Sequence, residues 1–143
     1  MQQKLLRYLK YGITNVIDVG ANFHYLNQRN DFVNNDSLPS VFITGPLLTT
    51  YLPKVYEDLE DDKPFILTLT AEDGIKGVQK QLPYKPGFIK IWYIAGADGL
   101  DVETSARKNL PIIKAIIDES HKHKLKVAVH ATERITAQLA VEN

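Results

Sequence analysis

Apolar, β-branched runs alternate with helix-like segments along this chain, and that alternation constrains the fold more than any other feature. Most of the runs are apolar at successive positions, as in strands that are buried on both faces of a parallel sheet covered by helices. The sequence therefore predicts an α/β fold of parallel β/α units. The predicted strands are 13–20, 40–46, 64–70, 87–96 and 126–130.

Helical segments are predicted between and around these strands. Thr70 and Asp73 have capping-box spacing and open a helix that runs to about Leu82. Asn109 with Pro111 predicts the start of a strong helix with a stripe of isoleucines on one side. The stretch 21–39 is predicted as a long loop that could contain a short helix. The remaining predicted helices are 2–11, a short acidic helix over 52–62, and 132–143.

The composition excludes several classes of function. With 143 residues, the chain is about one domain long. Its formal net charge of zero provides no basic field for nucleic-acid binding, and no stretch approaches the ~20 apolar residues of a membrane span. There is no cysteine, so any metal must be held by nitrogen and oxygen ligands. We therefore expect a cytoplasmic protein that acts on a small molecule, with neither nucleic acid nor membrane as partner.

His130 is the best-placed candidate for chemistry. In parallel α/β folds, ligands bind at the carboxyl ends of the strands, and His130 ends the strand 126–130. An imidazole at this position can bind a metal or act as a general base. The alternative is a hydrogen-bonded, partly buried histidine without a catalytic role. By contrast, His121 and His123 are two apart near the end of a helix, and the helix dipole suffices to explain them.

Lys90 interrupts the strand 87–96, which should be buried on both sides. A buried ammonium without a partner tends to lose its proton, and the neutral amine is a nucleophile. Such an amine can form a Schiff base or take up carbon dioxide as a carbamate. The alternative is that Lys90 extends to solvent or pairs with a carboxylate such as Asp18.

Taken in order, several stretches resemble the metal-dependent amidohydrolase superfamily, in particular its imidazolonepropionase-like and dipeptidase-like branch. They are YGITNVIDVG, then VFITGPLLT with its Gly-Pro turn, then FIKIW, and finally LPIIKAIIDESHKHKLKVAVHAT with the helix that follows. The resemblance extends from about residue 5 to residue 143. No single motif is very specific, but their shared order and spacing make the match fairly specific.

The resemblance implies roles for two residues. Lys90 matches the lysine that is carbamylated and bridges two metals in many members, and His130 matches a metal-binding histidine on the next strand. It also implies one or two zinc ions and hydrolysis of amide or cyclic-amide C–N bonds by metal-activated water. A carbamate would make a buried lysine useful, because it converts a cation into an oxygen ligand.

The departures from the family pattern are equally informative. The family's His-x-His pair, a further histidine and a late aspartate have no counterpart here. We therefore expect residues 1–143 to form a single partial domain, about half of a TIM-type (β/α)8 barrel, that lacks the first and last barrel strands. Such a fragment should be inactive or a poor enzyme alone, and its uncovered apolar surface should favour self-association.

Two other readings remain open. One is a non-catalytic, open α/β binding or signalling module, loosely like a receiver domain, with Asp18 at one strand end and Lys90 on a later strand. The other is a Schiff-base enzyme with Lys90 as its nucleophile.

Overall fold

Parallel strands and helices alternate in the computed structural model, which describes residues 2–32, 35–58 and 62–143. The strands are β1 (Asn15–Asp18), β2 (Ser40–Ile43), β3 (Leu47–Thr49), β4 (Phe65–Leu67), β5 (Ile89–Tyr93) and β6 (Val127–Ala131). The helices are α1 (Gln2–Lys10), α2 (Phe23–Gln28), α3 (Ala71–Gln81), α4 (Val102–Lys122) and α5 (Arg134–Val141). The strands form a β1-β2 pair and a β4-β3-β5-β6 sheet, and every pairing is parallel. The predicted α/β class with parallel strands is confirmed.

The second predicted strand, 40–46, forms β2 and ends before Gly45-Pro46, as expected, but a further strand that was not predicted, β3, begins at Leu47 after this interruption. Proline has no N–H to donate to a ladder, and a Cβ on Gly45 would lie 2.5 Å from Oε1 of Gln81. Hydrogen bonds nevertheless continue on both sides of the break. The Gly87 N–H donates to the Ile43 carbonyl (2.8 Å), and the Thr44 N–H donates to the Asp18 carbonyl (3.2 Å). The two sheets therefore meet along this interruption.

Helices cover one face of the four-stranded sheet and form the main core with it. Alternation along β5 directs Ile89, Ile91 and Tyr93 toward the helices, where all three are fully buried. The predicted isoleucine stripe is present on α4, and it packs against them. The other buried members of this core are Leu48, Val78, Ala95, Ala106, Ile112, Ile113, Ile116, Ile117 and Leu139. A smaller cluster under α2 contains Ala21, Leu26 and Ile43.

Two glycines let α3 approach its neighbours closely. A Cβ on Gly74 would lie 2.8 Å from the Ile116 side chain, and one on Gly77 would lie 2.6 Å from the Leu48 side chain. The capping box predicted from Thr70 and Asp73 opens this helix. The sequence thus specifies both where α3 begins and how tightly it packs.

Helix α4 begins seven residues earlier than Asn109, so that predicted start is wrong. The N-cap is Asp101, whose carboxylate accepts a hydrogen bond from the Thr104 N–H (3.0 Å), and Pro111 lies inside the helix. A proline in a helix interior leaves the carbonyl four residues earlier without its donor. Here that carbonyl belongs to Arg107, which is exposed like Pro111 itself, so water can replace the missing donor.

The predicted acidic helix over 52–62 is also wrong: the described part holds one 3-10 turn, Lys54–Tyr56, and residues 59–61 lie outside the described residues. Asp62 caps a different helix. Its carboxylate accepts hydrogen bonds from the N–H groups of Phe23 (2.7 Å) and His24 (2.8 Å), at the start of α2. A side chain 38 positions distant thereby anchors the short helix foreseen in the 21–39 loop.

The opposite face of the sheets is more open. Ile17 and Phe42, in register on β1 and β2, are 66% and 50% exposed, and Leu67 on β4 is also exposed. Lys90, Trp92 and His130 share this open face of the four-stranded sheet. Among the described residues, no helix has the length and apolar character needed to cross a membrane.

Candidate functional site

The pairing of β5 with β6 places the two predicted site residues on one face. Lys90 is in register with Ala128, and Trp92 is in register with His130. Because side chains alternate along a strand, Lys90, Trp92, Ala128 and His130 all point to the open face. Lys90 and His130 are diagonal neighbours on adjacent strands, about 8 Å apart at Cα by ordinary sheet spacing. Their side chains can therefore approach a common ligand.

Lys90 is half-buried in the middle of β5. Burial lowers the pKa of its ammonium below the ordinary value, because the charged form loses hydration. Among the described residues, its amine has neither a hydrogen-bond partner nor a carboxylate within ion-pair distance. Asp18, considered above as a partner, is in register with Ile43 and accepts a hydrogen bond from the Gly20 N–H instead.

His130 is exposed at the end of β6 and lies edge-on to the Trp92 indole, with ring centroids 6.0 Å apart. Further rings extend this contact into an aromatic row across the open face. Phe65 lies 4.8 Å from Trp92, and Tyr56 lies 4.8 Å from Phe65. The row borders His130 on one side, and His130 remains exposed to solvent.

Sequence reasoning missed Trp92 and this aromatic row. The indole Nε1 is buried without a hydrogen-bond partner among the described residues, which is unusual for a buried polar group. One signal was available: Trp92 stands two positions after Lys90, so strand alternation alone puts it beside the candidate site. Its contacts with Phe65 and Tyr56 depend on tertiary pairing and could not be read from the sequence.

Lys90 and His130 carry groups that could hold part of a metal site. Neutral imidazole and a carbamate oxygen are both ligands of zinc. Within the described ranges, no cluster of three or more histidine, cysteine, aspartate or glutamate side chains could hold a metal ion. If Lys90 were carbamylated, the pair could supply two of the four ligands that zinc ordinarily takes.

The other histidines have local roles. His24 is exposed on α2, where its Nε2 lies 2.9 Å from Nε2 of Gln28. His123 follows α4 and lies 3.3 Å from the Glu119 carboxylate, which also binds Lys122. These contacts agree with the interpretation that the His121–His123 segment is a helix end and not a ligand pair.

Comparison with known proteins places this geometry in context. No protein-family model and no curated protein matches the chain. Solved structures match almost all of it. A. niger ochratoxinase matches with a TM-score of 0.70 and 17% identity over 98% of this chain and 37% of its own. A Xaa-Pro dipeptidase with bound methionine matches with a TM-score of 0.70 and 18% identity over 99% and 37%. An amidohydrolase matches with a TM-score of 0.67 and 18% identity over 96% and 37%.

The chain shares the fold of these hydrolases. The resemblance to amidohydrolases indicated by the sequence is thereby confirmed at the level of the fold. Sequence identities of 17–18% support a shared fold and nothing further. The chain spans about a third of the length of the solved structures that it matches.

Proposed function

We propose that residues 1–143 form part of a TIM-type (β/α)8 barrel in a metal-dependent amidohydrolase that cleaves amide or cyclic-amide C–N bonds. One observation carries the proposal: Lys90 and His130 lie on the same open face of adjacent parallel strands. The fold shared with amidohydrolase and dipeptidase structures supports it. The partial-barrel domain itself remains part of the proposal.

In this proposal, His130 binds zinc through a ring nitrogen, and Lys90 binds it as a carbamate. The lowered pKa of Lys90 favours carbamate formation, because the neutral amine is the form that attacks carbon dioxide. When bound, zinc polarises a substrate carbonyl and lowers the pKa of water from about 16 to about 7. Trp92 packs edge-on against the imidazole and limits its orientation.

For the same reason, we expect the isolated chain to have little or no hydrolytic activity. Lys90 and His130 supply two ligands, whereas a zinc site with three protein ligands is the usual minimum for catalysis. The remaining ligands and the catalytic proton shuttle must come from residues other than the described ones. We therefore expect weak metal binding and no measurable hydrolysis by residues 1–143 alone.

Trp92 provides a direct test, because it is the only tryptophan of the chain and contacts His130. Cobalt(II), a common zinc substitute, should quench its fluorescence when titrated into the protein. His130→Ala should abolish the saturable quenching, whereas His24→Ala should leave it unchanged, since His24 is exposed on α2. Equal quenching in both variants would remove His130 from the metal site.

Native mass spectrometry tests the role of Lys90 separately. In bicarbonate buffer with zinc, the wild-type chain should gain about 44 Da, the mass of carbon dioxide, through the neutral lysine amine. Lys90→Met should not gain this mass, and Lys63→Met serves as the matched lysine control. A mass gain that persists in Lys90→Met would place the carbamate elsewhere.

A Schiff-base enzyme is the second candidate, because Lys90 has a lowered pKa and no acidic partner among the described residues. Borohydride should then trap an aldehyde or ketone substrate on Lys90, and absence of trapping would eliminate this function. The receiver-like module has less support. Asp18 shares the α2-facing side of β1–β2 with Ile43, whereas Lys90 points to the open face.

Self-association also belongs to the proposal. Strand β4 is an edge of its sheet, and Leu67 and Leu69 are 43% and 64% exposed there. Unpaired edges with apolar side chains favour association between chains. Sedimentation velocity should detect oligomers at high concentration, and Leu69→Lys should reduce them. A wild-type chain that stays monomeric at high concentration would contradict the proposed self-association.

A further inference from the structure

Glu133 lies in the short connection between β6, which carries His130, and α5, of which Glu133 is the N-cap residue. Its side chain is half-buried. Several other carboxylates of the chain pair with a cation, as Asp98 does with Lys108. Among the described residues, by contrast, no cation lies within 4 Å of the Glu133 carboxylate. Its partners must therefore be neutral groups.

Three neutral donors from different parts of the chain surround this carboxylate. The Thr132 hydroxyl donates to Oε1, and the Thr136 hydroxyl lies 3.2 Å from Oε2. The third donor is the backbone N–H of Ala95. These contacts, with Thr132 foremost, lower the pKa of Glu133, because they favour its charged form. The carboxylate thus connects the β6–α5 connection, the first turn of α5 and the segment that follows β5.

The contact with Ala95 joins the ends of two strands. The last residue pair of the β5–β6 ladder is Tyr93 with Ala131, and two further steps in the same register place Ala95 opposite Glu133. Ala95 is 7% exposed and belongs to the helix-covered core. The chain turns away directly after it, at Gly96, which has a φ of +82°. The Glu133 carboxylate therefore links β5 and β6 at the point where their backbone pairing has ended.

The placement of His130 depends on its backbone to an unusual degree. Side-chain hydrogen bonds hold the rings of His24 and His123, whereas none among the described residues holds the ring of His130. Its ring lies edge-on to the Trp92 indole. Trp92 is on β5 and His130 is on β6, so their contact persists only while the two strand ends stay together.

We propose that Glu133 is a positioning residue, whose carboxylate ties the end of β6 to the end of β5 and thereby holds His130 against Trp92. Every group in this arrangement belongs to the described residues, so it does not depend on further strands of a barrel. Because all the donors are neutral, the geometry of the acceptor matters more than its charge. The consequence for metal binding rests on the proposed function, but the consequence for the His130–Trp92 contact does not.

Proton NMR of the intact chain with isotope-labelled histidine tests the contact directly. Wild-type protein should show nuclear Overhauser cross-peaks between the rings of His130 and Trp92, and Glu133→Ala should lose them. Glu133→Gln should retain them, because its amide oxygen can still accept the Ala95 N–H and threonine hydroxyls can also accept hydrogen bonds. Glu142→Ala is the matched control and should change nothing, since Glu142 is an exposed carboxylate at the other end of α5 that contacts Gln138.

A destabilising substitution elsewhere in α5 separates positioning from general stability. Leu139 is 5% exposed and packs in the main core. Leu139→Ala should lower the melting temperature at least as much as Glu133→Ala does, because it leaves a cavity. It should nevertheless retain the His130–Trp92 cross-peaks at a temperature where circular dichroism shows every variant to be folded.

Cobalt titration followed by Trp92 fluorescence extends the test to the metal. Glu133→Ala should weaken saturable quenching about tenfold or more, the usual effect of losing a group that orients a metal ligand, and Glu133→Gln should stay close to wild type. A wild-type chain without saturable quenching would contradict the proposed metal role of His130, and the NMR result would still decide the role of Glu133.

Three outcomes would overturn the role of Glu133. The first is retention of the His130–Trp92 cross-peaks in Glu133→Ala. The second is their equal loss in Leu139→Ala, which would reduce the effect to the attachment of α5. The third is a Glu133→Gln variant as disrupted as Glu133→Ala, which would mean that the negative charge at the start of α5 is what matters.

Discussion

The two faces of the four-stranded sheet come from the same short strands but have different surroundings. On the helix-covered face, Leu48, Ile91 and Tyr93 are fully buried and pack against α3 and α4. On the open face, Lys90 is half-buried and His130 is exposed. Successive side chains along each strand point to opposite faces, so the side chains that stabilise the fold lie on one face and those available to ligands lie on the other. A protein can retain costly polar groups on one face when the other face supplies its stability.

The largest expected difference between the faces comes from one pair of matched substitutions. Ile91 on β5 is fully buried, whereas Ile17 on β1 is 66% exposed. Ile91→Ala should lower the free energy of unfolding by about 3 kcal/mol, because it leaves a cavity in a packed core. Ile17→Ala should lower it by less than about 1 kcal/mol. Urea unfolding followed by circular dichroism measures both, and equal losses would mean that the open face is covered in solution.

Crowding on the covered face should reverse the usual effect of a helix substitution. Replacing glycine by alanine inside a helix ordinarily gains up to about 1 kcal/mol. At Gly77 the new Cβ would lie 2.6 Å from Leu48 Cδ2, so Gly77→Ala should instead lower the free energy of unfolding by about 1–2 kcal/mol. Thermal unfolding can measure this change. A stabilised variant would show that α3 can move away from the sheet.

Low pH should destabilise the packing of the helix-covered face, because Glu119 on α4 forms a hydrogen bond with Gln79 on α3. Its carboxylate accepts hydrogen bonds from Gln79 (2.8 Å) and Lys122 (3.0 Å) and lies 3.3 Å from His123. These contacts, with the Gln79 bond foremost, lower the pKa of Glu119 from 4.5 to about 2. A lowered carboxyl pKa gives stability that is present above pH 4.5 and lost as the pH falls toward 2.

The measurement is unfolding free energy as a function of pH. Wild-type protein should lose more stability between pH 5 and pH 2 than Glu119→Gln does, because the variant has no carboxylate to protonate. Glu103→Gln, which removes an exposed partner of Arg107, should retain the wild-type acid dependence more closely. Parallel curves for wild type and Glu119→Gln would rule out Glu119 as a source of the acid sensitivity.

The smallest expected effect lies on the open face. Lys90→Met should raise the free energy of unfolding slightly, because burial disfavours the ammonium and the described residues offer it no counterion. The gain should be present at neutral pH and should fade as the pH rises toward 10.5, where the wild-type amine becomes neutral in both states. Denaturant unfolding at pH 7 and pH 10 measures the change. A destabilised variant would mean that the ammonium has a favourable partner in solution.

Part of the candidate site could be predicted from local pattern. A charged residue inside an apolar run identified Lys90, and a histidine at the end of a strand identified His130. Their common face then follows from alternation once β5 and β6 are paired. The metal-ligand roles of both residues stay predictions, as do zinc, self-association and the domain boundaries.

The two errors in the predicted helices have different physical origins. Asn109 with Pro111 has the composition of a helix start, but Asp101 caps the helix earlier, and exposed Pro111 is tolerated within it. The segment 52–62 has the composition of a solvated acidic helix, yet Asp62 at its end caps α2. The Asp101 cap is local, since its partner is the Thr104 N–H three residues later, and the sequence alone could have indicated it. The Asp62 cap joins residues 38 positions apart, so it depends on the folded chain.

The sequence by itself determined the parallel α/β class, the capping box of α3, the isoleucine stripe of α4 and the candidates Lys90 and His130. These features depend on periodicity and on contacts within a few residues. Only the tertiary structure decided the pairing of β3 after Gly45-Pro46, the capping of α2 by Asp62 and the aromatic row beside His130. Those features join residues that are far apart in the chain, and the pairing of distant strands is a property that local sequence does not encode.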